Sequence, residues 1–243
     1  MSKDLLLATQ LINFLRQHSA YSRRSLLSKI IDSKVTVNGQ IITNAQHTIK
    51  PTDTIKINGQ IVRPSQNLYY KFHKPIGVIS TLRDPKGRPN LSDYLKKYRQ
   101  SQTLRPIGRL DRDSSGLLLF SNDGDFIQTI LHPSYSISKT YEIRIQNPLS
   151  NQAKKTLSNG FFLPDGPVEI TIDKIISPTH LLVSICMGRN RILRRAFEFL
   201  NHPIVSLHRV SIGNCYLNDL APGQFRALSE NEIKALALTL RSW

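Results

Sequence analysis

A carboxylate with catalytic potential lies in the stretch Arg105-Pro-Ile-Gly-Arg-Leu-Asp-Arg-Asp-Ser-Ser-Gly-Leu-Leu-Leu-Phe-Ser-Asn-Asp123. Asp111 stands there between a short segment that ends in glycine and a strongly apolar one. The chain carries 33 Lys and Arg against 17 Asp and Glu, which gives a formal net charge of +16. A carboxylate on a surface that attracts polyanions weakens that attraction. Asp111 is therefore expected to be structural, a metal ligand, or a catalytic nucleophile or base.

The local spacing alone favours the structural alternative. Asp, Ser and Gly residues cluster here as in a tight turn, where side chains bond nearby backbone amides. Asp111, Asp113, Ser115 and Gly116 also match the first half of an EF-hand calcium loop. Asn122 stands where that loop needs a bidentate Glu, and the flanking segments have the pattern of strands rather than helices. A turn, a catalytic carboxylate and, least of all, a calcium site stay open at this point.

The composition predicts a basic, cytoplasmic protein that binds nucleic acid. A sequence pI of about 10.1 is typical of a phosphate-binding surface. The two cysteines, Cys186 and Cys215, are too few for a disulfide framework and too far apart for a Cys-x-x-Cys metal site. The N-terminus lacks the pattern of a secretion signal, and no window offers the roughly 18 consecutive apolar residues of a membrane span. At 243 residues, the chain is expected to form two domains.

Residues 1–60 have the pattern of a small domain with two helices and a hairpin. The predicted elements are a helix over Leu5–His18, a helix capped by Ser22 that runs to Ile31, a hairpin over Val35–Ile42 that turns at Asn38-Gly39, and a strand over Thr54–Ile57. Gly, Pro and Ser between Asn58 and Gln66 indicate a linker, which we place at residues 61–66.

Residues 67–243 are predicted to form an α+β domain with a mixed, mainly antiparallel sheet flanked by helices. Val168, Ile170 and Ile172 alternate with polar residues, which is the period of a sheet with one wet face. The predicted strands are 68–72, 104–110, 117–120, 140–145, 168–176 and 181–186, and the predicted helices are 91–98, 125–131 and 189–200.

The segment around Asp111 resembles the active-site segment of the RsuA-like pseudouridine synthases, which modify ribosomal RNA. The similarity rests on Gly108-Arg-Leu-Asp111 and the Ser-Ser-Gly-Leu-Leu-Leu-Phe-Ser-Asn-Asp-Gly124 that follows at Ser114. Further segments agree in order: Lys74-Pro-Ile-Gly-Val-Ile-Ser-Thr81, Lys139-Thr-Tyr-Glu142, Gly188-Arg-Asn-Arg-Ile-Leu-Arg-Arg195, His208-Arg-Val-Ser-Ile-Gly213 and Leu220-Ala-Pro-Gly-Gln-Phe-Arg226. The resemblance covers nearly the whole chain, and ordered motifs are a more specific signal than one tetrapeptide.

Residues 1–60 resemble the αL RNA-binding fold of a small-subunit ribosomal protein and of tyrosyl-tRNA synthetases. The similarity lies in Ser22-Arg-Arg24 and in Lys34-Val-Thr-Val-Asn-Gly39. It implies contact with RNA through Arg23, Arg24 and Lys34. The alternative for each residue alone is an ordinary solvated charge, but their clustering on one module of a basic chain favours RNA binding.

The resemblance implies isomerisation of uridine to pseudouridine, in which the glycosidic bond breaks, the uracil rotates and its C5 bonds to the ribose. This reaction needs no metal or cofactor, but it needs a carboxylate, a cation beside it and an aromatic platform for the flipped base. By resemblance, Asp111 is the carboxylate, Tyr141 packs on the base and assists in proton removal, and Arg194 pairs with Asp111. Whether Asp111 attacks the ribose or removes a ribose proton is left open.

Two of these residues have structural alternatives. Tyr141 has the pattern of a core aromatic in a strand, and Arg194 lies at i,i+4 spacing from Glu198 on a solvated helix face. Ile192 stands where the family usually has Gln, and Met187 where Glu is common. Ile192 supports an alternative function, a non-catalytic RNA-binding factor in ribosome assembly.

Five further basic residues are predicted to position RNA. They are Lys74, Arg109, Arg112, Arg189 and Arg191. The seven histidines lack metal-ligand spacing on a shared element, so no metal site is predicted.

The predicted function is site-specific pseudouridine formation in ribosomal RNA. The expected partner is the ribosomal subunit or its assembly precursor, and the protein is expected to be a monomer away from membranes. Asp84-Pro-Lys-Gly-Arg-Pro89 and Gly188-Arg-Asn-Arg191 are more similar to the large-subunit enzymes, which favours 23S over 16S rRNA. A DNA-binding regulator is disfavoured because the sequence lacks a recognition-helix signature.

Overall fold

The computed structural model describes residues 9–98 and 101–238 of the chain. These residues form two compact units. The first comprises the described part of residues 1–68 together with residues of 98–105 and 121–127, and the second comprises the remainder. The chain thus passes from the first unit to the second after Leu68, and two later segments that the sequence placed in the catalytic domain belong to the first.

The described part of the first unit contains two helices and six short strands. These are β1 (Thr9–Gln10), α1 (Leu11–His18), α2 (Arg23–Ile31), β2 (Val35–Val37), β3 (Gln40–Ile41), β4 (Thr48–Ile49), β5 (Ile55–Ile57) and β6 (Gln60–Ile61). β1 pairs with β4, and the other four strands form an antiparallel sheet in the order β3-β2-β5-β6. Buried leucine, isoleucine and valine side chains from both helices and from strands β2, β4 and β5 make its core.

Local chemistry sets the ends of these elements. The hydroxyl of Ser22 accepts a hydrogen bond from the amide of Ser25 at 3.2 Å and caps α2, as predicted. Asn38 and Gly39 have φ angles of 52° and 85°, the conformation that a two-residue hairpin turn requires, so the predicted turn is confirmed. A second Asn-Gly turn at Asn58 joins β5 to β6. Residues 58–61, which share the linker composition, form this hairpin, so of the predicted linker at residues 61–66 Ile61 lies in a strand.

The first predicted helix begins later than expected. Thr9–Gln10 is an extended strand paired with Thr48–Ile49, so α1 starts at Leu11. The predicted helical residues before Thr9 lie outside the described residues.

The second unit is built on a nine-stranded sheet with flanking helices. Its elements are β7 (Tyr69–Lys74), α3 (Leu91–Leu95), β8 (Arg105–Ile107), β9 (Ser115–Ser121), α4 (Gly124–Leu131), β10 (Lys139–Ile145), α5 (Asn151–Asn159), β11 (Phe161–Leu163), β12 (Gly166–Val168), β13 (Thr171–Ser177), β14 (His180–Ile185), α6 (Ile192–Phe199), β15 (Ile204–Ile212), β16 (Cys215–Tyr216), β17 (Phe225–Ala227) and α7 (Glu230–Leu238). Arg105 of β8, Ser121 of β9 and residues 124–127 of α4 belong to the first unit. The order β13-β14-β10-β15-β9-β7-β17 makes the main path, with β16 on β15 and β8 on β9. β15 and β9 are parallel and the other described pairings along the path are antiparallel. The predicted α+β class with a mixed sheet is confirmed.

Some predicted boundaries differ from the structure. The single strand predicted over 168–176 is two strands, because β12 pairs with β11 and β13 pairs with β14. Val168 and Ile170 are nevertheless buried, as the alternation predicted. The late helix begins at Ile192 rather than Arg189, since Arg191 has a left-handed φ of 46°. Helices α5 and α7 and the long strand β15 were not predicted.

Candidate active site

The loop of residues 108–114 joins β8 to β9 and presents Asp111. Its backbone is anchored from several sides. The amide of Leu110 donates to the hydroxyl of Ser80 at 3.0 Å, and that hydroxyl donates to the Leu110 carbonyl at 2.6 Å. The amide of Gly77 donates to the carbonyl of Arg112 at 2.7 Å, and that of Ser114 to the carbonyl of Asp111 at 3.1 Å. The backbone therefore forms the tight turn that the composition predicted.

The side chain of Asp111 does not take part in this turn. Among the described residues, no hydrogen bond reaches its carboxylate, and its ion pair is with Arg191, whose Nη1 lies 3.7 Å from Oδ2. The carboxylate is about one-third exposed and faces a cavity. A purely structural turn residue would bond the neighbouring amides, so the geometry favours a reactive carboxylate over the turn alternative.

Arg194 lies beside the loop, but its partner differs from the predicted one. Its Nη2 donates to the carbonyl of Asp113 at 2.9 Å and its Nη1 to the carbonyl of Ile204 at 3.1 Å. Its Nε lies 3.2 Å from Oδ2 of Asp113 without hydrogen-bond geometry. The expected pairing with Asp111 is therefore replaced by Asp113, and the solvated pairing with Glu198 is also not what the structure shows. Arg194 links the loop to β15, because its helix runs alongside both.

Asp113 is the carboxylate that the two arginines hold. Arg191 donates to both of its oxygens, at 3.2 and 3.3 Å. Partial burial by itself would raise the pKa of Asp113, but the hydrogen bond from Arg191 and the charge of Arg194 outweigh it and lower that pKa. The calcium alternative is wrong for two reasons. The Asp113 carboxylate is paired with arginines, and the loop is flanked by strands β8 and β9 rather than by the helices of an EF-hand.

Lys74 is buried beneath the same loop and not on an RNA-binding surface. Its side chain is 0% exposed, and its Nζ donates to the carbonyls of Ser114 at 2.6 Å and Pro75 at 2.9 Å. Burial lowers the pKa of Lys74 to about 8, while the charges of Asp111 and Asp113 oppose that shift. The prediction that Lys74 contacts RNA is corrected, because its ammonium group is used inside the protein.

Asp111 and Tyr141 line one cavity of about 710 Å³ in the second unit. Tyr141 is only 8% exposed and belongs to the hydrophobic core, yet it also forms part of the cavity wall. The core and the active-site interpretations of this residue are thus compatible. A cavity of this size lies within the range of small-molecule sites, which is about 300–1,000 Å³.

One further cation in the cavity wall, Arg209 on β15, was missed by the sequence analysis. It is 3% exposed, and its Nη1 donates to the hydroxyl of Tyr141 at 3.3 Å. Lys139 also lines the cavity, and burial together with the charge of Arg209 lowers its pKa. The sequence did contain a signal for Arg209. It stands two residues after the apolar Leu207, and residues two apart in a strand lie on the same face of the sheet.

The other predicted basic residues are divided between the two units. Arg109, Arg189 and Arg191 line the cavity, whereas Arg112 is exposed on the loop with its Nε 3.4 Å from the carbonyl of Gly77. Arg189 donates to the carbonyls of Asp165 and Pro167. In the first unit, the three residues predicted to contact RNA, Arg23, Arg24 and Lys34, are exposed.

Comparison with known proteins shows the family to which the chain belongs. A family model described as RNA pseudouridylate synthase matches residues 69–199, a range that contains Asp111, Tyr141 and Arg194. The chain belongs to this family. It is accordingly an isomerase of the pseudouridine synthase type that acts on RNA. Arg209 lies outside the matched range.

Relatives and a solved structure extend this similarity over most of the synthase chain. Ribosomal large subunit pseudouridine synthase B of Bacillus subtilis is 35% identical over 88% of this chain and 90% of its own length. The protein of the same name from Pseudomonas aeruginosa is 32% identical over 89% of this chain and 58% of its own. A crystal structure of a pseudouridylate synthase is 26% identical, with a TM-score of 0.69 over 94% of this chain and 99% of that one. The fold of the synthase is therefore shared with a solved pseudouridylate synthase.

Three further observations concern the described residues of the synthase. None of their helices is long and apolar enough to cross a membrane. No group of three His, Cys, Asp or Glu side chains among them is arranged to hold a metal ion. Ile192 is 5% exposed and packs in the hydrophobic core, so packing accounts for an apolar residue at this position.

Proposed function

We propose that this pseudouridine synthase isomerises a specific uridine of 23S ribosomal RNA, with Asp111 as its catalytic carboxylate. One observation carries the proposal. The carboxylate of Asp111 faces the cavity that Tyr141 also lines, and no hydrogen bond from the described residues engages it. A carboxylate that faces the cavity and accepts no hydrogen bond is available for attack on the ribose or for removal of a ribose proton.

The cavity is suited to a nucleotide that has left its base stack. An enzyme that performs chemistry on a base extrudes the nucleotide and holds the base against aromatic or apolar side chains. Here Tyr141 supplies the aromatic ring, and apolar residues such as Ile137 and Leu207 line the same cavity. Tyr141 would pack on the uracil and remain close to C5 when its proton is removed.

Two cations, the buried Lys74 and the partly buried Arg194, would keep Asp111 in place without touching it. Lys74 holds the carbonyl of Ser114 from below, and Arg194 holds the carbonyl of Asp113 from α6. Arg191 is the cation nearest to the Asp111 carboxylate. We therefore assign Arg191 to charge stabilisation and Arg194 to positioning of the loop.

The exposed basic side chains would bind the phosphates of structured RNA. On the second unit these are Arg109 and Arg112, together with the partly exposed Arg189 at the cavity, and on the first they are Arg23, Arg24 and Lys34. We propose that residues 1–60 act as an αL-type RNA-binding domain and residues 67–243 as the catalytic domain. The net charge of +16 is consistent with a polyanionic partner.

The names of two relatives favour the large ribosomal subunit as the target. Both are called ribosomal large subunit pseudouridine synthase B, and each matches nearly nine-tenths of this chain. The protein would then act in the cytoplasm as a monomer, on the large subunit or on its assembly precursor.

Purified protein incubated separately with 23S and 16S rRNA transcripts tests this proposal. Pseudouridines are located by carbodiimide modification and primer extension. The expected result is one new pseudouridine in 23S rRNA and none in 16S rRNA, with no product from Asp111→Asn. Product in 16S rRNA would contradict the target, and binding without turnover by the wild-type protein would favour a non-catalytic assembly factor.

A further inference from the structure

Arg209 occupies a fixed position at the centre of the sheet. Its strand, β15, lies between β10 and β9, with Arg209 opposite Tyr141 on one side and Gly116 on the other. Gly116 has a φ of 108°, and a Cβ at that position would collide with the backbone of Arg209. The glycine therefore allows the close approach that places the Arg209 side chain at the cavity.

Only some of the hydrogen-bond donors of the Arg209 guanidinium group have acceptors in the protein. Its Nε donates to the carbonyl of Leu117 at 2.7 Å, and its Nη1 donates to the hydroxyl of Tyr141 at 3.3 Å. Its Nη2 is buried and has no hydrogen-bond partner among the described residues. Buried polar groups nearly always have a partner, so an orphaned donor in the wall of a cavity indicates a ligand that supplies the acceptor.

The charge around Arg209 leads to the same conclusion. Among the described residues, no carboxylate lies within 4 Å of this buried guanidinium group. Its neighbours Lys139 and Lys74 are themselves cations whose pKa values are lowered, first by burial and in part by the charge of Arg209. A buried charge without a counter-ion is strongly unfavourable, and a negative charge arriving in the cavity would relieve it.

We propose that Nη2 of Arg209 donates to a carbonyl oxygen of the flipped uracil and stabilises the negative charge that forms when the glycosidic bond breaks. This inference rests on the proposed function. When the C1′–N1 bond breaks, its electron pair goes to the uracil and is shared among N1, O2 and O4. Asp111 balances the change at the ribose, either by bonding to C1′ or by accepting the C2′ proton. The uracil then bonds through C5 to C1′ as Asp111 leaves C1′ or returns the proton to C2′, and it loses the C5 proton and gains a proton at N1.

In this account Arg209 acts on the leaving group and Asp111 on the ribose. A preorganised donor aimed at developing charge is worth roughly 10²–10³-fold in rate. The hydrogen bond from Nη1 to Tyr141 would also hold the aromatic ring in a fixed orientation against the base. Arg209 is thus a catalytic residue rather than one of the phosphate-binding arginines.

The test compares 23S rRNA fragments that carry uridine or 5-fluorouridine at the target position. Fluorine withdraws electrons and stabilises the uracil anion, so a 5-fluorouracil leaving group depends less on Arg209. Breakage of the glycosidic bond is measured under single-turnover conditions, by mass spectrometry of nuclease digests of the RNA. Arg209→Met should slow reaction of uridine by about 100-fold. It should slow 5-fluorouridine much less, so that the ratio of the two rates rises about tenfold or more above the wild-type ratio.

Arg189→Met is the matched control. Arg189 also lines the cavity, but it donates to the protein carbonyls of Asp165 and Pro167. Its loss is expected to weaken RNA binding and to leave the rate ratio at the wild-type value. Thermal unfolding and RNA affinity identify a variant that is only misfolded. If Arg209→Met fails to fold, Arg209→Lys retains the charge but not the fork of donors, and it should raise the ratio by a smaller amount.

The outcomes separate the two proposals. An unchanged rate ratio in a folded Arg209 variant would overturn the role of Arg209, because a merely structural residue affects both leaving groups equally. Absence of wild-type product on the 23S fragment would instead contradict the proposed target.

Discussion

Three basic side chains of the first unit and two of the second lie in different environments. In the first unit, Arg23, Arg24 and Lys34 are exposed. In the second, Lys74 and Arg209 are buried, and each donates to backbone carbonyls inside the protein. Under the proposed function the same residue types serve two purposes: the exposed cations attract phosphate, and the buried cations hold or complete the active site. A high net charge predicts the first purpose but conceals the second.

Replacing the Asp111 carboxylate should separate catalysis from RNA binding most clearly. We expect Asp111→Asn to abolish pseudouridine formation and to change RNA affinity by less than about tenfold, because the amide keeps the shape but cannot act as nucleophile or base. Turnover on rRNA fragments and filter binding measure the two effects. Turnover similar to that of the wild type would remove Asp111 from the mechanism.

Removing a buried cation should damage both fold and turnover. Lys74→Met leaves the carbonyls of Ser114 and Pro75 without their donor, and hydrogen bonds to charged groups contribute about 1.5–3 kcal/mol each. We expect the free energy of unfolding to fall by about 3 kcal/mol, and turnover to fall by about 100-fold because the loop that presents Asp111 moves.

Lys96→Met is the matched control for this change. Lys96 is 74% exposed and its Nζ lies 3.5 Å from Asp93, so its loss should change stability by less than about 1 kcal/mol. Urea denaturation compares the two variants. Equal losses of stability in both would show that the buried position of Lys74 has no special importance.

The arginine that links the loop to β15 should have an intermediate effect. Arg194→Ala removes the hydrogen bonds to Asp113 and Ile204, and we expect kcat to fall by roughly tenfold while KM changes little. Arg194→Lys keeps the charge but cannot make both bonds, so it should recover only part of the loss. Full recovery by lysine would show that charge, rather than positioning of the loop, is what Arg194 contributes.

The exposed cations of the first unit should affect binding alone. Each lost phosphate contact lowers the slope of log affinity against log salt by about 0.7–0.9. We therefore expect Arg23→Ala with Arg24→Ala to reduce that slope by roughly 1.4–1.8, with kcat unchanged at saturating RNA. Lys154→Ala with Lys155→Ala on α5 removes the same charge and is the control. Equal changes of slope in both double variants would mean that Arg23 and Arg24 make no specific contact.

Patterns that depend on neighbours in sequence were predictable. The cap at Ser22 and the turn at Asn38 follow from local hydrogen bonds and backbone angles, and both were predicted. The mixed sheet also followed from alternation. The partner of Arg194 could not be predicted, because it depends on how α6, the loop and β15 come together across 80 residues of chain.

Buried cations were the main feature that sequence reasoning missed. A lysine or arginine in a motif is ordinarily interpreted as exposed, since these residues are almost never fully buried without a partner. For Lys74 the partners are carbonyls of a distant loop, which leave no trace in the sequence. For Arg209 the alternation along β15 was a usable signal, and the glycine at position 116 that makes room for it was another.

Mapping pseudouridines in cellular rRNA tests the central claim most directly. Cells that lack this gene are complemented with the wild-type chain or with Asp111→Asn, and the pseudouridines of 23S and 16S rRNA are compared. We expect one 23S position to lose its pseudouridine in the absence of the gene, to regain it with the wild type, and to stay unmodified with Asp111→Asn. Restoration of the modification by Asp111→Asn, or unchanged 23S rRNA in cells without the gene, would contradict the account.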